Sequence, residues 1–203
     1  MDEKITTCQC AKSEDKIWIE LLRYFIHNLL YPAFLGTFIV SVFDNFHAAK
    51  SLNLIIAFAL IIFYCCDYLY SHVIKSYKLK FLIFDFIVIV ALVFSFYGID
   101  LSAKGDLPNI YRLFLPFVGF LGLFLIWDIC CRNKNKNNEP IKFFYLKLIG
   151  WEVLILLAYA SFFFFYYKNL INRNDLYIVF IISLYLSSAF YFYMALEKAK
   201  LFK

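Results

Sequence analysis

The sequence predicts an all-α fold, a polytopic membrane helical bundle of about six transmembrane helices with both termini in the cytoplasm. Three observations carry this expectation. The 203 residues are 64% apolar and only 17% charged, whereas a soluble domain is nearer half apolar and about a quarter charged. Six apolar runs reach spanning length. The basic residues gather in alternate connections between those runs.

The runs cover 22–43, 52–71, 80–99, 110–131, 143–166 and 176–196. Each meets the ~20 residues that cross about 30 Å of hydrocarbon at a 1.5 Å rise. In the first run Glu20, Arg23 and His27 recur at i, i+3 and i+7, so they share one helix face. Pro32 and Gly36 follow and predict a kink. The second run carries Tyr64 and Asp67, and the third carries Asp85. The fourth holds Pro116, Gly119 and Gly122, a second predicted kink, and ends near Asp128. The fifth carries Glu152. The sixth carries Ser183 and Ser187, a small-residue stripe suited to close helix contact. Polar breaks separate the runs: HAAKS, SHVIKSYK, DLSAKGDLPN, RNKNKNNEP and NLINRND.

The chain divides into a cytoplasmic N-terminal segment, 1–17, and a single transmembrane domain, 18–203. The N-terminal segment is polar and mixed in charge. It shows no short apolar run and no small-residue cleavage site, so the first helix is expected to act as an uncleaved signal. With the N-terminus inside, fifteen of the 20 Lys and Arg fall on the cytoplasmic side. The outer loops hold Lys50, Lys104, Arg112, Lys168 and Arg173. The bias repeats at each alternation, so span count and orientation support each other. The expected location is the plasma (inner) membrane. The formal net charge of +5 is then a topology signal. It predicts no nucleic-acid partner, since no basic stretch is interleaved with exposed aromatics.

The six cysteines are Cys8, Cys10, Cys65, Cys66, Cys130 and Cys131. All fall near the cytoplasmic side, where thiols stay reduced, and read as free packing thiols. Their spacing matches neither a zinc site nor a redox pair. His27, His47 and His72 sit on different helix ends. The sequence thus predicts no metal and no cofactor. It also shows no P-loop, GxSxG or Rossmann fingerprint. The loop acids Asp100, Asp106, Glu139 and Asp175 are scattered, so no catalytic residue is assigned. The many aromatics follow a compositional bias shared with Ile, Lys and Asn.

The informative residues are the acids within the apolar runs: Asp67, Asp85, Asp128 and Glu152. An Asp at a helix centre costs about 2.5–3.5 kcal/mol on insertion, and less near an end. Asp67 and Asp128 lie about one turn from the cytoplasmic helix ends. Asp85 lies roughly 8 Å in and Glu152 roughly 13 Å in. Arg23 and His27 lie at similar depth, and cross-helix pairing fits better than pairing within a helix, for instance Arg23 with Asp67 or Asp85; the sequence assigns no partners. Two readings follow. The acids form a buried charge cluster that fixes helix register, with Asp67 and Asp128 reaching the interface. Alternatively they line a cytoplasm-facing vestibule for protons or cations, with Glu152 the deepest relay. A short parallel repeat accompanies them. LIIFYCCDY and FDFIVIVAL flank one basic loop, and LFLIWDICC and GWEVLILLA flank another.

Residues 60–97 resemble the second and third helices of a voltage-sensor domain. That family places an aromatic three residues before an acid on its second helix and a further acid early in its third. Tyr64, Asp67 and Asp85 match, within IIFYCCDY and FLIFDFIVIVA. The resemblance implies that these three residues form an internal cation-binding centre. The fourth run departs from the family: it offers only Arg112 where the family carries a basic residue at every third position.

The expected function is ion conduction or transport by a homo-oligomer. The path would be lined by kinked helices at Pro32 and Pro116 and by Tyr64, Asp67, Asp85, Asp128 and Glu152, with Arg23 and His27 nearby. A pore between protomers is expected. The alternatives are a membrane scaffold, accessory subunit or effector that meets a protein partner at its cytoplasmic loops, and a membrane enzyme acting on lipid. In every case the bilayer is the principal partner.

Overall fold

A computed structural model describes residues 17–72, 79–99, 101, 110–134 and 137–201. The N-terminal segment with Cys8 and Cys10, the loop lysines Lys75, Lys78, Lys104 and Lys136, the acids Asp100 and Asp106, and Lys203 lie outside the described residues. So do the side chains of His72 and Lys80. Among the described residues all regular structure is helical. The helices are α1 (Ile17–Asp44), α2 (Ser51–His72), α3 (Leu79–Tyr97), α4 (Ile110–Lys134), α5 (Glu139–Tyr167) and α6 (Arg173–Leu201). Five of them are long and apolar enough to cross a membrane; α3 contributes a shorter apolar helix, Ile83–Tyr97.

The helices outrun the apolar runs that announce them. α5 begins before residue 143 and α6 continues past Leu196, because backbone hydrogen bonding does not stop where hydrophobicity does. Local capping sets the ends. The Asn138 side chain accepts from the Ile141 N–H at 3.3 Å, and Pro140 occupies the first turn of α5, where a missing N–H costs nothing. α5 closes with Asn169 in the left-handed region, φ 56°. There the Leu170 N–H reaches the Phe165 carbonyl and the Asn169 N–H reaches that of Tyr166, both at 2.9 Å. Two residues on, Asn172 and Asp175 exchange backbone-to-side-chain bonds of 2.9 and 3.0 Å and start α6.

The predicted kink at Pro32 takes a specific form. Residues Ile26–Leu30 make a π-turn, closed by the Tyr31 N–H on the Ile26 carbonyl. The wider turn absorbs the residue that a proline ring displaces. Pro32 itself and Gly36 face outward. The second expected kink is different: α4 runs unbroken through Pro116, which is half-buried. A Cβ added at Gly36, Gly119 or Gly122 would meet nothing, so within the chain none of these glycines serves a close helix approach.

Packing is not in chain order. α6 inserts between α2 and α5, and α3 between α1 and α4, so that the helices surround one core. The most extensive contact joins α2 to α6. Ser183, Ser187 and Ser188 of α6 are buried, as are Ala57 and Ala59 of α2, and the Ser183 hydroxyl meets that of Tyr159 on α5. The serine stripe read from sequence is thus a packing face. The core of the outer half, reckoned from the predicted orientation, is aromatic. Phe63 lies 5.2 Å from Phe117 and 5.4 Å from Phe120, and Phe114 lies 4.6 Å from Phe180.

Polarity is inverted relative to a water-soluble bundle. Large apolar side chains such as Trp18, Phe94, Leu115, Ile126 and Leu157 point outward on several helices, while Asp67, Asp85, Asp128, Glu152 and Lys198 are buried. Such a surface suits lipid, and with the helix lengths it identifies an integral membrane protein.

Candidate functional site

The four intramembrane acids converge on the core between the helices. Asp67 is 1% exposed, Asp85 5%, Asp128 1% and Glu152 0%. Asp67 and Asp128 therefore do not reach the interface, as one reading of their depth implied. Each belongs to an acid pair supplied by one helix hairpin. Asp67 of α2 is in Coulombic reach of Asp85 of α3. The carboxyl groups of Asp128 of α4 and Glu152 of α5 lie within hydrogen-bond reach of each other. Each half of the short repeat thus supplies one acid pair.

Helix α1 serves the first pair. His27 Nε2 meets Asp85 Oδ2 at 3.1 Å, and the Tyr31 hydroxyl donates to Asp67 Oδ2 at 3.0 Å. The His27 and Tyr31 rings stack at 5.7 Å with an interplanar angle of 1°. His27 lies within the π-turn and Tyr31 closes it, and both rings enter the bundle. Arg23, one example of a cross-helix partner for these acids, is half-buried. It lines a surface depression with Glu20, Tyr24, His27 and Asn28. His27 thus sits at the floor of this depression and touches the acid cluster.

Tyr64, the aromatic that the voltage-sensor resemblance matches, packs against α1. Its hydroxyl donates to the Tyr31 backbone carbonyl at 3.2 Å, and its ring lies 5.0 Å from that of Tyr31. It supports Tyr31, which donates to Asp67.

Helix α6 serves the second pair. The Tyr191 hydroxyl donates to Glu152 Oε1 at 3.3 Å. Lys198, counted from sequence as a cytoplasmic loop charge, is only 5% exposed. Its ammonium donates to the Tyr70 carbonyl at 3.0 Å and lies 3.8 Å from the Tyr70 ring centroid. Asp128, Asp85 and Asp67 all feel its charge. At the same end of the bundle Lys147 of α5 pairs with Glu197 of α6 at 2.7 Å.

Tyr31, Tyr70, Tyr191 and Lys198 were not legible as site residues. Tyrosines are common in this chain, and nothing local distinguishes these three. A signal for Lys198 did exist. Ser183, Ser187, Tyr191, Met194 and Lys198 follow helical spacing and form one buried stripe. The stripe carried the lysine inward with the serines.

Among the described residues, four buried carboxyl groups therefore face one lysine and one histidine. Charge of one sign in excess is costly in a low dielectric, and each uncompensated carboxylate calls for a proton or a cation. No three His, Cys, Asp or Glu among the described residues converge as a metal centre would need. Cys65, Cys66, Cys130 and Cys131 form no disulfide. Comparison with protein families, curated proteins and solved structures found no match to this chain.

Proposed function

We propose that this integral membrane protein moves protons or small cations, and that the buried acids are stations on the path. The observation that carries the reading is continuity. A depression floored by His27 leads to Asp85, then to Asp67 with Tyr31; Lys198 links these electrostatically to Asp128, which in turn pairs with Glu152. With the N-terminus inside, as the basic residues favour, the depression opens to the cytoplasm. A second depression, lined by Ser41, Asn45, Tyr97, Leu101 and Arg112, lies at the opposite end of the bundle. The aromatic layer of Phe63, Phe117 and Phe120 separates the two. A site reached from one side and sealed by packed rings on the other suits alternating exposure rather than an open pore.

The acids are buried within one chain, so the path runs inside a protomer, and a pore between protomers is not needed to line it. The test is ion flux from proteoliposomes at matched reconstitution. Glu152→Gln and Asp85→Asn should each change flux by roughly tenfold, the factor that a loss of about 1.4 kcal/mol of ion binding produces. Unchanged flux in both variants overturns the reading.

A scaffold or accessory subunit is the second reading. It is favoured by the fact that three of the acids already have a partner within the chain: Tyr31, His27 and Tyr191. If the acids serve only as glue, the same substitutions lower the yield of folded protein and wild type moves no ions.

A further inference from the structure

The two acid pairs are not alike. In the first, each carboxyl group meets its own partner from α1. In the second, the carboxyl groups face each other. Glu152 Oε1 accepts from Tyr191, but Asp128 Oδ2 and Glu152 Oε2 are buried with no donor among the described residues. Lys198 is committed to the Tyr70 carbonyl and ring, and no ion pair joins it to either carboxyl group. The Ser187 hydroxyl is a further orphan. It is fully buried, has no partner, and lies one turn from Tyr191 on the same face of α6.

Two carboxylate oxygens in contact repel strongly in a low dielectric, and neither has a hydrogen to offer. One proton resolves both problems. The O–H of one acid donates to the oxygen of the other, and the pair carries a single negative charge that Lys198 balances. We propose that Asp128 and Glu152 form a proton-binding dyad that holds one proton between them, so that the ion handled here is the proton. This deepens the transport reading and rests on it only for its consequence; the dyad stands on its own geometry. A hard metal cation takes about six to eight oxygens, whereas a proton needs two. The other titratable groups around the dyad are Tyr70 and Asp67 from α2, Cys131 from α4, Tyr145 from α5, and Tyr191 and Lys198 from α6.

The experiment is infrared spectroscopy of the purified full-length protein at neutral pH, in H2O and in D2O. Wild type should show a protonated-carboxyl C=O band that shifts in D2O. Asp128→Asn and Glu152→Gln should each lose it, because the new amide N–H replaces the shared proton as donor. Asp67→Asn should retain it. Circular dichroism and gel filtration establish that each variant is folded; if one amide variant misfolds, the other decides, since each removes the shared proton. Absence of the band from wild type, or its survival in a folded amide variant of either acid, overturns the proposal. A dyad band in a protein that moves no protons retains the dyad and overturns the transport reading. Flux without the band does the reverse.

Discussion

Tyr31 and Tyr191 lie on helices at opposite ends of the chain and do the same work. Each directs a phenol hydroxyl at a buried acid, Asp67 in one case and Glu152 in the other. A buried carboxyl oxygen deprived of its donor loses the hydrogen bond and keeps its desolvation penalty. Tyr31→Phe and Tyr191→Phe should therefore each destabilise the bundle by about 1–3 kcal/mol. Exposed Tyr24→Phe should change stability by less than about 0.5 kcal/mol. Denaturant unfolding in detergent measures all three. Equal stability of wild type and both buried variants would mean that the phenols are packing groups only. Lys198 belongs to the same scale. Its long stem lets the end of a helix return a charge to the core, and the Tyr70 carbonyl and ring receive it.

At the scale of the element, the π-turn of α1 decides which residues enter the site. One extra residue in a turn rotates everything before it relative to everything after it. His27 lies within the π-turn and Tyr31 closes it, and both face the acids. Pro32 is the cause, since its ring displaces the backbone one turn earlier and it offers no N–H. Pro32→Ala removes that constraint and should let α1 regularise, which turns His27 away from Asp85. A double-mutant cycle tests this. His27→Gln should cost about 1–3 kcal/mol in the native background and markedly less in the Pro32→Ala background. Equal costs would show that tertiary packing, rather than the proline, holds the turn. The α5–α6 hairpin is the contrasting element. Its left-handed Asn169 and its reciprocal Asn172–Asp175 bonds are local, and its position follows from the polar break in the sequence.

At the scale of the whole molecule, the apolar exterior and the acidic interior have one origin. Lipid accepts the hydrocarbon side chains and rejects the carboxyl groups, so the charges collect where other helices can partner them. In the proposed orientation the basic loops face the cytoplasm, and orientation decides which compartment His27 faces. Cysteine accessibility measures it. In a background without the native cysteines, Leu170→Cys should react with an impermeant maleimide from outside, and Asn137→Cys only after the membrane is inverted or opened. Both positions are exposed and lie in turns at opposite ends of α5. The reverse pattern overturns the orientation, and with it the cytoplasmic access of the acid cluster.

The sequence by itself determined that the chain is an all-helical membrane protein, roughly where each helix lies, and that four acids sit inside. These properties are local. Transfer into lipid is summed residue by residue over about twenty positions, and a proline or an acid within a run is visible without knowing its neighbours. Even so, the π-turn form of the Pro32 kink, the unbroken passage of α4 through Pro116 and the full length of α5 and α6 lay beyond it. Only the tertiary structure decided the partners. His27 meets Asp85, Tyr31 donates to Asp67, and Lys198 is buried in the core. Partner choice is non-local: it depends on helix order and rotation, and the insertion of α6 between α2 and α5 has no signature within any single helix.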